Sequence, residues 1–203
     1  MCGETPAVTF TKVTTGPVVT SAGDSRSANF ADYDNDGWDD LLIVNGFPKD
    51  VTDRDFGDFR LTASKLVSQK ELLAAIPQIK SPNFIYRNRG DLTFENVTKE
   101  WGLDFPTFSN GAAYADFDKD GDLDLVINNI DDPVLLLENT AAQQDKNSHY
   151  LRINLEGGSL NPAAIGATVE AFLGGMAQKH SLLSGRGYLS KPESTLHFGL
   201  GKA

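Results

Sequence analysis

Residues 27–45 read SANFADYDNDGWDDLLIVN, and residues 111–129 read GAAYADFDKDGDLDLVINN. The two stretches align without a gap. Asp32, Asp34, Asp36 and Asp40 fall on Asp116, Asp118, Asp120 and Asp124, and Gly37 falls on Gly121. An internal repeat of this kind marks a duplicated structural unit. Each acidic loop runs into a short apolar stretch, Leu41-Leu42-Ile43-Val44 or Leu125-Val126-Ile127. Short aliphatic, β-branched runs bounded by turn residues read as buried strands. The segments before the loops, Ala28 to Ala31 and Ala112 to Ala115, read the same way. The unit is therefore strand, acidic turn, strand.

Four carboxylates at positions 1, 3, 5 and 9 of one loop repel each other. A like pair about 4 Å apart costs roughly 1 kcal/mol in water and more beside protein. A divalent cation removes that cost by turning each oxygen into a ligand. The side-chain donors are all carboxylates, with no Cys or His among them, and this set suits a hard ion such as Ca2+. Alternation places Asp32, Asp34 and Asp36 on one side of a curled loop, and Gly37 permits a sharp turn. The main-chain carbonyls of Trp38 and Asp122 stand at position 7, and Asp40 and Asp124 close the loops. The second loop repeats the arrangement with Asp116, Asp118, Asp120 and Asp124. Two Ca2+ ions are expected. An EF-hand is excluded, because position 12 is Ile43 or Ile127 rather than Glu and strands flank both loops.

Outward from the repeat, Asp50 to Asp58 reads as a polar loop. Ser64 to Ile76 reads as a single inserted helix, with Leu66, Val67, Leu72, Leu73 and Ile76 on its apolar side and Thr62 or Ser64 as its cap. Asn83 to Arg87 and Thr93 to Val97 read as two strands joined by a turn at Arg89-Gly90-Asp91. Thr140 to Ser148 reads as a linker. After it come four strand-like pieces separated by glycine turns: Tyr150 to Leu155, Ala167 to Leu173, Gln178 to Leu183 and Thr195 to Phe198. The expected domains are residues 1–140, which carry both acidic loops, and residues 149–203, a small β domain.

The bulk numbers narrow the function. Asp and Glu total 28 against 18 Lys and Arg, a formal net charge of −10. That balance argues against nucleic acid as a partner. No apolar run is long enough to span a membrane. The one cysteine, Cys2, rules out an internal disulfide. Met1-Cys2-Gly3 resembles the start of a mature bacterial lipoprotein, which would put a lipid anchor at Cys2. His149, His180 and His197 lack the paired spacing of a zinc site and read as strand or turn residues. Glu100 and Asp104 do not stand out from surface carboxylates as an acid–base pair. Ser184-Gly185-Arg186-Gly187 is not a nucleophile elbow. Trp38 and Trp101 read as packing residues, with exposed binding aromatics as the alternative.

Two further sets of residues carry a family resemblance. The pattern Asp-x-Asp-x-Asp-Gly-x-x-Asp followed by an apolar strand resembles the FG-GAP/VCBS repeat of calcium-bearing β-propeller blades. The stretch Phe84 to Thr98, followed by Trp101-Gly102-Leu103, resembles the segment that joins consecutive repeats in that group. Ile165 to Val169, Gly185 to Ser190 and Leu196 to Gly201 resemble the ASPIC/UnbV domain, which follows such repeats in cartilage acidic protein-like sequences and bacterial surface proteins. The resemblance implies a mainly β chain: two propeller-like blades of an incomplete propeller, then a small β domain. It implies a secreted or cell-surface, non-catalytic binding or adhesion module whose partner is a protein or glycan. Two blades cannot close a ring, so the resemblance implies a fragment of a larger protein, a reduced open form, or a piece that self-associates. The alternatives are an accessory part of a polysaccharide-active enzyme and a structural spacer of a larger surface protein.

Overall fold

The computed structural model describes residues 25–46, 54–63, 67–74, 76, 78 and 80–202. Both copies of the repeat fold as the sequence suggests. Strand β1 (Ser25–Ala31) pairs antiparallel with β2 (Asp40–Asn45), and the acidic loop joins them. Further along, β3 (Ser81–Pro82), β4 (Phe84–Asn88), β5 (Phe94–Asn96) and β6 (Pro106–Thr107) precede the second copy. There β7 (Ser109–Ala115) pairs with β8 (Asp124–Asn129) in the matching register, and β9 (Leu135–Leu137) adds beside β8. The first sheet has the order β1-β2-β4-β5 and the second β7-β8-β9.

The apolar run in β2 explains why these sheets are buried. Successive side chains of a strand point to opposite faces. Leu42 and Val44 enter a core that the two sheets share, with Ile85, Ala112, Leu125 and Ile127. Leu41 and Ile43 pack on the other face against Tyr86, with Phe84 and Phe94 at its margin. A strand buried on both faces needs apolar residues without alternation. The sheets are also joined by a chain of buried amides and hydroxyls. Asn83 Nδ2 donates to Thr107 Oγ1 and Ser109 Oγ, and Ser109 Oγ donates to Asn129 Oδ1.

The inserted segment differs from expectation. Residues 54–58, read as loop, belong to helix α1 (Arg54–Ala63). The second helix, α2 (Gln69–Ala74), occupies part of the stretch read as one helix, of which residues 64–66 and 75 lie outside the described residues. Its cap is Ser68 rather than Thr62 or Ser64. Ser68 Oγ accepts from Glu71 N–H, and Glu71 returns a carboxylate oxygen to Ser68 N–H. The two bonds make a reciprocal capping box, and Ser64 lies outside the described residues. Thr62 lies inside α1. Cys2 and the rest of the first 24 residues lie outside the described residues.

The stretch read as a linker contains a one-turn helix, α3 (Ala141–Gln144). Beyond it come β10 (His149–Ile153), β11 (Thr168–Leu173), β12 (Met176–Ser181) and β13 (Leu196–Gly201). They form two two-stranded sheets, β10-β13 and β11-β12, around Leu182, Leu196 and Phe198. None of these strands pairs with a strand of the first two sheets. Among the described residues, no helix is long and apolar enough to cross a membrane.

Candidate metal centre

The repeat folds each acidic loop by the same local chemistry. Gly37 and Gly121 take φ values of 96° and 99°, and Asn35 and Lys119 take 58° and 66°. These are left-handed conformations, where glycine carries no Cβ penalty. The turn curls the chain so that Asp32, Asp34 and Asp40 bring ligating oxygens within 4.8 Å of one another. Asp116, Asp118 and Asp124 do the same in the second loop. Asp36 and Asp120 stand outside these trios. Asp36 Oδ1 accepts from Trp38 N–H, and Asp120 Oδ1 accepts from Asp122 N–H.

The closing aspartates tie the loops to the sheets. Asp40 accepts from Tyr33 N–H and Asn88 N–H. Asp124 accepts from Phe117 N–H and Asn139 N–H in the same pattern. Asn88 and Asn139 are thus equivalent residues, and their side chains donate back to Asp39 O and Leu123 O. The sequence reading missed both. Their signal is an Asn at the end of the third strand of the first unit and two residues past it in the second, visible only once β9 is recognised.

Several carboxylate oxygens are buried and have no hydrogen-bond partner: Asp34 Oδ1, Asp116 Oδ1, Asp120 Oδ2 and Asp122 Oδ1. Buried polar atoms normally find a partner, so orphaned oxygens clustered in a loop fit a cation. Burial dominates the titration of the first loop. It pushes Asp32 up to about 8, helped by Asp36, Asp40 and Asp34 and opposed by the Gly37 N–H. Asp40 is pushed up to about 8 by burial as well, and the N–H groups of Asn88 and Tyr33 oppose it. Asp34 and Asp36 are raised by burial, against the pull of the Arg87 guanidinium. In the second loop, burial raises Asp122 to about 7. A divalent ion would reverse all of these shifts by neutralising the carboxylates in place.

The two loops differ in their protein counter-charges. In the first, Arg87 from β4 ion-pairs with Asp34 Oδ2, and Asp32 spends its oxygens on the N–H groups of Asp36 and Gly37. In the second, Arg152 from β10 reaches Asp116 Oδ2 at 2.6 Å and Glu193 with its other nitrogen at 2.6 Å. The Asp116 side chain is 1 % exposed. The Asp122 side chain turns inward and caps α3, with Oδ2 accepting from Ala142 N–H. Trp38 is half exposed and lies over the turn at Gly90, where a Cβ would come 2.7 Å from its ring. Trp101 packs against the shared core.

The C-terminal strands cover both loops. A Cβ on Gly37 would meet Met176 Sδ at 2.9 Å, one on Gly121 would overlap the Tyr150 ring, and one on Gly199 would overlap Asp32 Oδ2. At Gly121 and Gly199 the neighbouring segments leave no room for a Cβ, whereas at Gly37 it is the positive φ that calls for glycine, since only the flexible end of Met176 stands close. Asn35 joins all three parts: its Nδ2 donates to Gly121 O, its O accepts from Gly201 N–H, and its Oδ1 meets His197 Nε2 at 2.6 Å. Since Asn35 Oδ1 is an acceptor, His197 carries its proton on Nε2. Burial lowers His197 to about 4, with Arg152 adding to the effect, so the ring is neutral at physiological pH. Asn139 Nδ2 also crosses between loops to Tyr33 O at 2.7 Å. All three histidines lie in strands.

Comparisons with known proteins agree with the two resemblances. Residues 69–127 match the family model described as FG-GAP-like repeat, and residues 157–203 match the one described as ASPIC and UnbV. Over 53 residues the chain is 43% identical to cartilage acidic protein 1 of Homo sapiens and 40% identical to that of Xenopus tropicalis. Each alignment covers 26% of this chain and 8% of the relative. The matched region is therefore a small part of those relatives.

Proposed function

We propose that this chain is a calcium-held, non-catalytic binding module of an extracellular or cell-surface protein, with one Ca2+ in each acidic loop. The reading is carried by the two equivalent carboxylate trios, with ligating atoms within 4.8 Å and buried oxygens left without partners. Asp32, Asp34 and Asp40 hold one ion, and Asp116, Asp118 and Asp124 hold the other. Asp36, Asp120 and the main-chain carbonyls of Trp38 and Asp122 complete the oxygen shells. The blades are propeller-like units, and residues 149–203 form a separate β domain resting on them. The C-terminal strands lie over both loops, which supports a structural role for the ions; the protein or glycan partner is proposed to bind elsewhere on the surface. The similarity to FG-GAP-like repeats and to cartilage acidic protein 1 supports the location.

Calorimetric titration with Ca2+ tests this reading. Two sites are expected, with dissociation constants of about 10⁻⁴ to 10⁻³ M, the range of extracellular modules. Asp34→Asn should remove one site and Asp118→Asn the other. No binding heat, together with a melting temperature that ignores both Ca2+ and chelator, would defeat the proposal.

A further inference from the structure

The two acidic loops are equal in carboxylates. Residues 32–40 and 116–124 each contain five aspartates. Carboxylate count therefore does not set one loop above the other as a cation site. The protein's own cations do. Each loop has an arginine on one of its ligating aspartates: Arg87 on Asp34 in the first, and Arg152 on Asp116 in the second.

The two arginines are held differently. Arg87 comes from β4 of the same blade and is 43 % exposed, so its long stem can carry the charge into water. Arg152 comes from β10, outside the blade, and is 25 % exposed. One of its η nitrogens donates to Asp116 Oδ2 and the other to Glu193 Oε2, both at 2.6 Å. Glu193 is anchored in turn, because its N–H donates to Tyr114 O in β7. Across the β10-β13 pair Arg152 stands opposite His197, whose ring is bonded to Asn35 of the first loop. The guanidinium is thus clamped on two sides and cannot leave without breaking two charge-assisted bonds.

Asp116 offers one oxygen to each of two cations. Its Oδ2 faces Arg152, and its Oδ1 is buried without a hydrogen-bond partner. That second oxygen is the one left for an ion held with Asp118 and Asp124. A guanidinium on the same carboxylate draws on its charge and repels the ion, and burial keeps water and salt from screening the repulsion.

Resting on the calcium reading above, we infer that Arg152 lowers the Ca2+ affinity of the second loop, so that the first loop fills before the second. The C-terminal β region thereby sets the affinity of a site built in the blade. At intermediate Ca2+ the chain holds an ion in the first loop and only the arginine beside the second. Removing a clamped, partly buried charge this close to the ion is worth about tenfold in affinity. Removing the exposed Arg87 is worth about threefold or less.

Calorimetric titration of the full chain with Ca2+ tests the inference. Wild type should bind in two unequal steps, and Asp118→Asn should remove the weaker one. Arg152→Met should tighten the weaker step about tenfold. Arg152→Lys keeps the charge and should leave that step weak. Glu193→Gln removes an anion that offsets the guanidinium and should weaken it further. Arg87→Met should change the stronger step by about threefold or less. Damage to the fold weakens binding, so a tightened step cannot come from it. Two equal steps, or a second step that Arg152→Met leaves unchanged or weakens, overturns the inference while leaving calcium binding intact. So does a Glu193→Gln chain whose second step tightens, and this variant decides the matter should Arg152→Met not fold. A wild-type chain that binds no Ca2+ defeats the calcium reading and this inference together.

Discussion

Replacing Arg152 with Met separates the protein counter-charge of the second loop from the ion. The substitution keeps much of the aliphatic stem, so it mainly deletes the guanidinium. Asp116 is 1 % exposed and would be left buried without a cation; Glu193, 18 % exposed, would lose the same partner. Removing one member of a buried pair costs about 3–5 kcal/mol. Arg152 is itself 25 % exposed, so solvent screening reduces the expected loss to about 2–3 kcal/mol in chelator. For a chain of this size that lowers Tm by roughly 5–10 °C. In saturating Ca2+ the ion neutralises Asp116, and the loss should shrink to about 1 kcal/mol or less. The assay is thermal and urea unfolding of wild type and Arg152→Met, each with chelator and with Ca2+. Equal losses in both conditions would refute the argument, because Arg152 and the ion would then not share a carboxylate.

Three further outcomes follow from the same contacts. Asn139→Ala removes the bonds to Tyr33 O and Ala141 N–H and should cost about 1–3 kcal/mol by urea unfolding, more than Asn88→Ala, whose side-chain bonds reach only Asp39 O and Gly90 N–H. Gly121→Ala combines a φ of 99° with overlap of the Tyr150 ring; adding Tyr150→Ala should relieve the overlap and recover part of the Tm, leaving about 1 kcal/mol or more of backbone strain. In chelator, Asp32, Asp40 and Asp122 hold their protons more tightly folded than unfolded, so stability should fall as pH rises from about 4 to about 8; a Tm that climbs over this range without metal would contradict the burial assigned to them.

Much of the first two sheets was legible because their signals are local. Acidic spacing, the turn glycine and the aliphatic run each act within a few residues, and the duplication repeated them. Where local signals conflict, the reading failed. Gly57 and the mixed charges of 54–60 hid α1 from a test based on apolar spacing. Strand β9 is three leucines behind Pro133, too short to show alternation, and missing it hid the equivalence of Asn88 and Asn139. The covering of the loops could not be read at all. It depends on Arg152, Tyr150 and His197 meeting Asp116, Gly121 and Asn35 across long stretches of chain, and no periodicity encodes such pairs. The sheets of residues 149–203 are visible in the sequence, but the ion pair and amide hydrogen bonds that hold them against the loops are not.

Crystals grown in millimolar Ca2+ test the central claim most directly. The account predicts density for one ion in each loop, about 2.3–2.6 Å from oxygens of Asp32, Asp34 and Asp40 in the first and of Asp116, Asp118 and Asp124 in the second. Water alone in both loops, with the six carboxylates unchanged from their positions in chelator, would contradict it.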